Sequence, residues 1–531
     1  MQFNSLFLTC LLLLGVGTAA TAQQREVVIP SVGLNIIQTT IEADLASMGV
    51  DVVENTTYIL ERGKRYAYST QYQPEYSLTI VASQGDGFRP QIVPVGTAAG
   101  EAPRFIRQRG PGKSLTLIGI ELDQIDTFGE HTDNAPIRPQ GAGVRYYVED
   151  CVFDFQRFEV ARTAAVDITL IMVNNIISRN YQRDNWYKNG GLFFQNGNAV
   201  DTLIVRDNSY YNTPGVAFFQ LNGDDIEYLE IKRNTFVNVG GQRELFQYGG
   251  PTRQAMIDMG AALDLVCEDN IFYNIGFMGV QPAFQDSFAI FNYVPSDTSR
   301  SFRMSNNNFF QEPAFMANTP DTAIQIPMFT SVMDSFLNTL SEDMNAMEYF
   351  TANNISEEID FDNAPMNEDK FVQAKINRWA NPGTATNDEL ILDTVGAMNV
   401  DFGYSTDLQS YSAATDGGPL GSRRYFPDFM VSTQDYQLGG GVLTVHANFP
   451  NPASDYTNLR FDLGSTAEIS VEIYDLNGRQ VHQLAPRRFQ AGTDLILPVT
   501  GLDLTAGLYT YAIIAEVDGR RTGSVRQLVV R

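Results

Sequence analysis

Between residues 115 and 310 the chain alternates apolar and polar positions in short runs, and the runs recur in phase. Seven copies read TLIGIEL (116–122), YVEDCVF (147–153), IMVNNII (171–177), IVRDNSY (204–210), EIKRNTF (230–236), VCEDNIF (266–272) and RMSNNNF (303–309). One aligned column holds Ile120, Cys151, Asn175, Asn208, Asn234, Asn270 and Asn307. Leu122, Phe153, Ile177, Tyr210, Phe236, Phe272 and Phe309 come two residues later. Apolar residues also stand three and five places earlier, from Leu117 to Met304 and from Leu115 to Phe302. A period of two inside each copy predicts a strand. Steps of 24 to 37 residues between copies predict a solenoid, because a lone strand cannot bury its apolar side and each coil must stack on the next. Asparagine suits the column for two reasons: it tolerates left-handed backbone at a turn, and its amide both donates and accepts. With coils about 4.8 Å apart, Asn175, Asn208, Asn234, Asn270 and Asn307 are expected to bond from coil to coil inside the turn.

These features resemble the right-handed parallel β-helix of pectate lyases and chondroitinase-B-like proteins, over roughly residues 50–310. The runs TYILERGKRY (57–66) and SLTIVASQGDGFRPQIV (77–93) resemble the opening coils of the chondroitinase-B-like group. The expected fold class is all-β: a right-handed parallel β-helix with an N-terminal capping helix, followed by a small C-terminal β-sandwich.

The remaining stretches bracket this solenoid. Residues 1–22 read as a secretory signal, with an apolar core from Leu6 to Val16 and the small-x-small site Ala20-Thr21-Ala22, although no Lys or Arg precedes the core. That run is too short to span a bilayer, and no later segment is predicted to be a transmembrane helix. Residues 39–49 predict an amphipathic helix with Ile41, Leu45 and Met48 on one face, a Thr39–Glu42 capping box and Gly49 at its end. It is read as the cap of a solenoid spanning 23–430, whose residues 311–430 form an irregular C-terminal cover. The segment 416–426, DGGPLGSRRYF, resembles the closing stretch of secreted β-helix proteins of Bacteroidota-type bacteria. A linker with Gly439-Gly440-Gly441 occupies 431–442, and from 443 to 531 short strands with Gly, Pro and Asn turns predict a β-sandwich. There NFPNPASDYTNLRFDL (448–463), ISVEIYDLNGRQV (469–481), GLYTYAI (507–513) and RTGSVRQLVV (521–530) resemble the sorting domain of the type IX secretion system. The resemblance implies the type IX machinery as a partner, passage across the outer membrane, and a protein secreted or held at the cell surface.

Charge narrows the chemistry. A formal net charge of −26 argues against a nucleic-acid partner. The two cysteines after the signal, Cys151 and Cys267, lie four coils apart, about 19 Å, too far for a disulfide. Polygalacturonase-like sites need clustered Asp and a Gly-His-Gly. Asp224-Asp225 only echoes the former, and His131, the only His of the solenoid, has no flanking Gly. No zinc spacing occurs. The acidic run 341–370 reads as a solvated face, with a calcium site through Glu358, Asp360 and Asp362 as the alternative. No other cofactor is implied, and a monomer is expected.

A lyase needs a cation to neutralise a uronate carboxylate and a base to take the α-proton. The outward column two residues before the ladder contains Arg206 and Lys232 on adjacent coils, with Glu230 and Glu268 beside them. Among β-helix lyases Lys or Arg serves as the base, so Lys232 and Arg206 are the catalytic candidates; a stabilising salt-bridge cluster fits the same residues. The loop YQRDNWYKNGG (181–191) carries Arg183, Trp186, Tyr187 and Lys188, cations beside aromatic rings suited to sugar binding. Two readings stay open: a lyase acting on an anionic glycan, and a non-catalytic surface rod that binds extracellular polysaccharide.

Overall fold

The computed structural model describes, apart from scattered positions, residues 25–96, 103–124, 135–154, 159–180, 191–213, 225–239, 255–276, 289–293, 302–313, 353–364, 400–429 and most of 443–530. These residues fall into two compact units, Arg25–Met430 and one that contains Val431–Arg531. The signal expected over 1–22 lies outside the described residues.

The first unit is built of three parallel sheets of ten, nine and seven described strands. The chain visits them in turn, as in Ser114–Ile118, Glu121–Asp123, Ile137–Pro139 and back to Arg145–Glu149. This is the arrangement of a β-helix, and its register is the one the sequence columns predict. Leu117, Val148, Met172, Val205, Ile231, Cys267 and Met304 line up on the first sheet and are fully buried. On the second sheet Phe236, Phe272 and Phe309 stack with ring centroids 5.0 and 5.1 Å apart. Each such pair contributes about 0.5–1.5 kcal/mol beyond area burial.

The asparagine ladder forms. Nδ2 of Asn175 donates to Asn208, Asn208 to Asn234, Asn234 to Asn270 and Asn270 to Asn307, at 2.9 to 3.0 Å. It runs one rung beyond the seven copies, since Asn307 donates to Asn354 at 3.1 Å. The repeat therefore resumes after the long segment in which the pattern fades. The left-handed residue is not the ladder asparagine but the one before it: Gly119, Asp150, Asn174, Asp207, Arg233, Asp269, Asn306 and Asn353 all have φ between 50° and 71°. Turn geometry and ladder bonding are thus divided between neighbours. Arg233 is the unusual member, and it is held there by a bidentate pair with Asp207 at 2.8 and 2.9 Å. A second short ladder, absent from the sequence reading, joins Asn212, Asn238 and Asn274 at 3.1 Å per step.

The helix spans Ile36–Met48, three residues earlier than expected. No capping box forms: Asn35 is the N-cap, and the Thr39 hydroxyl bonds back to the Asn35 and Ile36 carbonyls. Ile37 and Ile41 join the core while Met48 is exposed; Gly49 ends the helix at φ 86°, its N–H on the Leu45 carbonyl. The described part of 311–430, expected as an irregular C-terminal cover, packs on the outer side of the second sheet. Ile359, Phe361, Phe402, Tyr404, Leu420 and Phe426 pack on Val152, Ile176, Tyr211, Val237, Ile271 and Tyr273, the outward apolar residues of the second sheet. Both cysteines are free and buried. Burial pushes the Cys151 thiol up to about 12, so it is no nucleophile. Among the described residues no helix is long and apolar enough to cross a membrane.

In the second unit, antiparallel sheets of three and four described strands share one apolar core that includes Leu459, Phe461, Ile469, Val471, Tyr511 and Leu528.

Candidate functional site

On the first sheet the outward row runs Glu149, Val173, Arg206, Lys232, Glu268, Ser305 in register. Arg206 Nε donates to Glu230 Oε1 at 2.6 Å, and the Tyr228 hydroxyl donates to Glu230 Oε2 at 2.9 Å. Lys232 Nζ lies 2.9 Å from Glu268, 3.3 Å from Asp269 and 3.2 Å from the Thr415 hydroxyl. An ammonium has three protons, and here three acceptors surround it. Glu230 and Glu268 are only 5% and 4% exposed, and each is paired with a cation across the row. Burial raises the Asp269 carboxyl above its ordinary pKa, against the pull of Lys232 and Thr415. The sequence-nominated group is thus brought together, as an ion-pair row joined by a hydroxyl from a residue distant in sequence.

Arg183, Trp186, Tyr187 and Lys188 lie outside the described residues, as do His131 and Asp224. The ends of their loop are placed, however. It leaves the second sheet at Ile176–Ser178 and re-enters the third at Phe193–Phe194, where Gly191 and Leu192 accept from the Val160 and Ala161 N–H groups at 3.2 and 3.1 Å.

The third sheet presents a different row. Arg107 pairs in register with Arg138, and Ala161 pairs with Ile137, so Arg162 extends the same outward row. Inward neighbours Ile106, Ile137, Ala161 and Phe193 are fully buried, which fixes the arginines on the outer side. Three cations thus stand about 4.8 Å apart in a strongly acidic protein. Like charges at that separation repel. Burial first, then the charges of Arg107 and Arg162, holds the Arg138 guanidinium below the ordinary arginine value. Arg162 has a counter-ion in fully buried Glu159, 3.0 Å away. Arg107 and Arg138 have no ion pair among the described residues, and their Nε atoms are buried without a hydrogen-bond partner there.

This row escaped the sequence reading, but a signal existed. FIRQR (105–109), PIRPQ (136–140) and VARTA (160–164) place Arg107, Arg138 and Arg162 at steps of 31 and 24, the same steps that separate Ile120, Cys151 and Asn175. Elsewhere, an open cleft of about 650 Å³ at the starts of central strands of the first sheet is lined mainly by acidic side chains, Asp167, Asp201, Asp225 and Glu227, beside Arg145. Glu358, Asp360 and Asp362 are exposed, and no group of three or more His, Cys, Asp or Glu among the described residues is placed to hold a metal ion.

Residues 447–530 match the family model of the secretion system C-terminal sorting domain. The chain is exported by the type IX system to the cell surface or the extracellular space. The sorting domain occupies a small C-terminal share of the sequence and leaves the activity of the first unit open. Dimeric latent PorU from Porphyromonas gingivalis, a solved structure, shares 27% identity over 17% of this chain and 9% of that one, with a TM-score of 0.15. This chain therefore spans less than a tenth of that protein, and the likeness bears on neither fold nor function. No curated protein matches the chain.

Proposed function

We propose that the first unit is a right-handed β-helix of the pectate-lyase-like kind, exported to contact extracellular polysaccharide without cleaving it. Handedness follows from the near-universal right-handed crossover between parallel strands. In this reading the helix Ile36–Met48 caps the stack, and the two C-terminal sheets form the sorting sandwich. The observation that carries the non-catalytic reading is the ion pairing of Lys232 and Arg206: a base already bonded to Glu268, Asp269 and Thr415 is poorly placed to take a substrate proton. The contact face we favour is the third sheet, where an arginine row adjoins Gly191 and Leu192, the residues that follow the Trp186 segment in sequence. The test is to present the full exported chain with alginate, pectate and chondroitin, following binding together with the ultraviolet absorbance of unsaturated uronate. Binding without that absorbance is expected. Turnover would replace this reading with a lyase, and absence of any binding would leave a structural rod.

A further inference from the structure

We infer that Arg107 and Arg138 form a binding site for an oxyanion: a carboxylate, sulfate or phosphate group that bridges two adjacent coils. The inference deepens the polysaccharide reading by naming the ligand chemistry of the third-sheet face, and it rests on that reading for the source of the anion.

Register carries the argument. The two arginines are direct partners on neighbouring parallel strands, so their side chains leave the same face about 4.8 Å apart. Several other cations of this stack come with a counter-ion. Arg206 has Glu230, Lys232 has Glu268, Arg233 has Asp207, and Arg179 has Asp154. Along the row itself, Glu159 neutralises Arg162 and ends the uncompensated stretch. Arg107 and Arg138 remain, each with a buried Nε lacking a partner among the described residues. Two half-buried like charges with desolvated donors are unfavourable alone. An oxyanion between them would satisfy both Nε–H groups and offset the repulsion. A guanidinium presents a planar fork that matches the paired oxygens of such a group, which favours an oxyanion over a halide. In a chain of net charge −26, an anion finds attraction only where cations are left uncompensated.

The test uses the full chain and sodium sulfate, phosphate and citrate, each compared with chloride at matched ionic strength. All three should raise the thermal midpoint of the parent above the chloride value, in a saturable manner. Arg107→Gln and Arg138→Gln should each weaken binding about tenfold, and the double variant should remove the shift. Arg109→Gln, which deletes an exposed arginine outside the row, should keep it. Far-ultraviolet circular dichroism and a cooperative melt establish that each variant folds. Arg138→Gln should also melt higher than the parent in anion-free buffer, because it relieves the repulsion; a lower midpoint would mean that Arg138 already has a counter-ion and would overturn the inference. So would a parent that does not distinguish sulfate from chloride, or a double variant that keeps the shift. If the ions bind and no polymer does, the site stands and the polysaccharide reading falls. If a uronan binds parent and double variant equally, the reverse holds.

Discussion

Oδ1 of Asn234 accepts two bonds from Asn208 on the preceding coil, one from its backbone N–H at 2.9 Å and one from its side-chain amide at 3.0 Å. The same side chain donates to the Val205 carbonyl at 2.8 Å. One fully buried residue therefore satisfies backbone and side-chain groups on its neighbours. Asn234→Leu leaves at least two donors and one acceptor unpaired. At about 1–3 kcal/mol per unpaired group, the expected loss is several kcal/mol, read as a lower denaturation midpoint in urea. A loss below about 1 kcal/mol would mean that the ladder is incidental to stability.

The ladder was legible because two constraints repeat together: an amide every coil, and apolar residues two after and three before it. A chance turn asparagine would not carry Phe236 or Ile231 at fixed offsets. The boundaries of the site were less legible. Third-sheet strands such as Ala161–Arg162 are two residues long, too short for alternation to be seen, so the arginine row shows only once the first sheet fixes the coil steps. The partner of Lys232 was beyond reach for another reason. Thr415 stands 183 residues away, joined by a segment with no repeat, and only the closed fold brings the two together.

Lys232→Ala tests the structural role of that contact. It strands Glu268 and Asp269, which are 4% and 0% exposed, without their nearest cation. Breaking a buried pair costs about 3–5 kcal/mol, and the partial exposure of the Lys232 side chain, 20%, places the expected loss at the low end. Glycan binding should be unchanged. A variant as stable as the parent but deficient in turnover would instead identify Lys232 as the base.

Asp416 ties the flank segment together through Arg423, with Nη2 at 2.7 and 2.9 Å from its two oxygens. Burial alone would raise its pKa, but the Arg423 charge and hydrogen bonds outweigh this and hold the carboxyl below the ordinary value. The unfolded chain therefore binds this proton more readily than the folded one, so the stabilisation is present above the ordinary Asp value of about 3.9 and is lost as pH falls through the lower folded value. The difference in stability between parent and Asp416→Asn should accordingly be constant near neutral pH and shrink in acid. Thermal melts across that range decide it, and a difference that grows in acid would show the pair to be unimportant.

The two units keep separate apolar cores: one set runs from Ile29 to Phe426, the other from Val445 to Val530. Neither core contains a residue of the other, so removing one unit creates no cavity in the other. Deleting residues 443–531 should therefore leave the β-helix with its cooperative melt, while the sorting domain needed for export is gone. Cell fractionation should find the truncated chain folded but retained inside the outer membrane, with the parent outside. Fusing residues 431–531 to an unrelated folded passenger supplies the converse, and that fusion should reach the surface or the medium. If the truncated chain is displayed as well as the parent, the export signal lies within the β-helix. If it is retained only because it unfolds, the loss of its melt will show the two units to be one cooperative body rather than two.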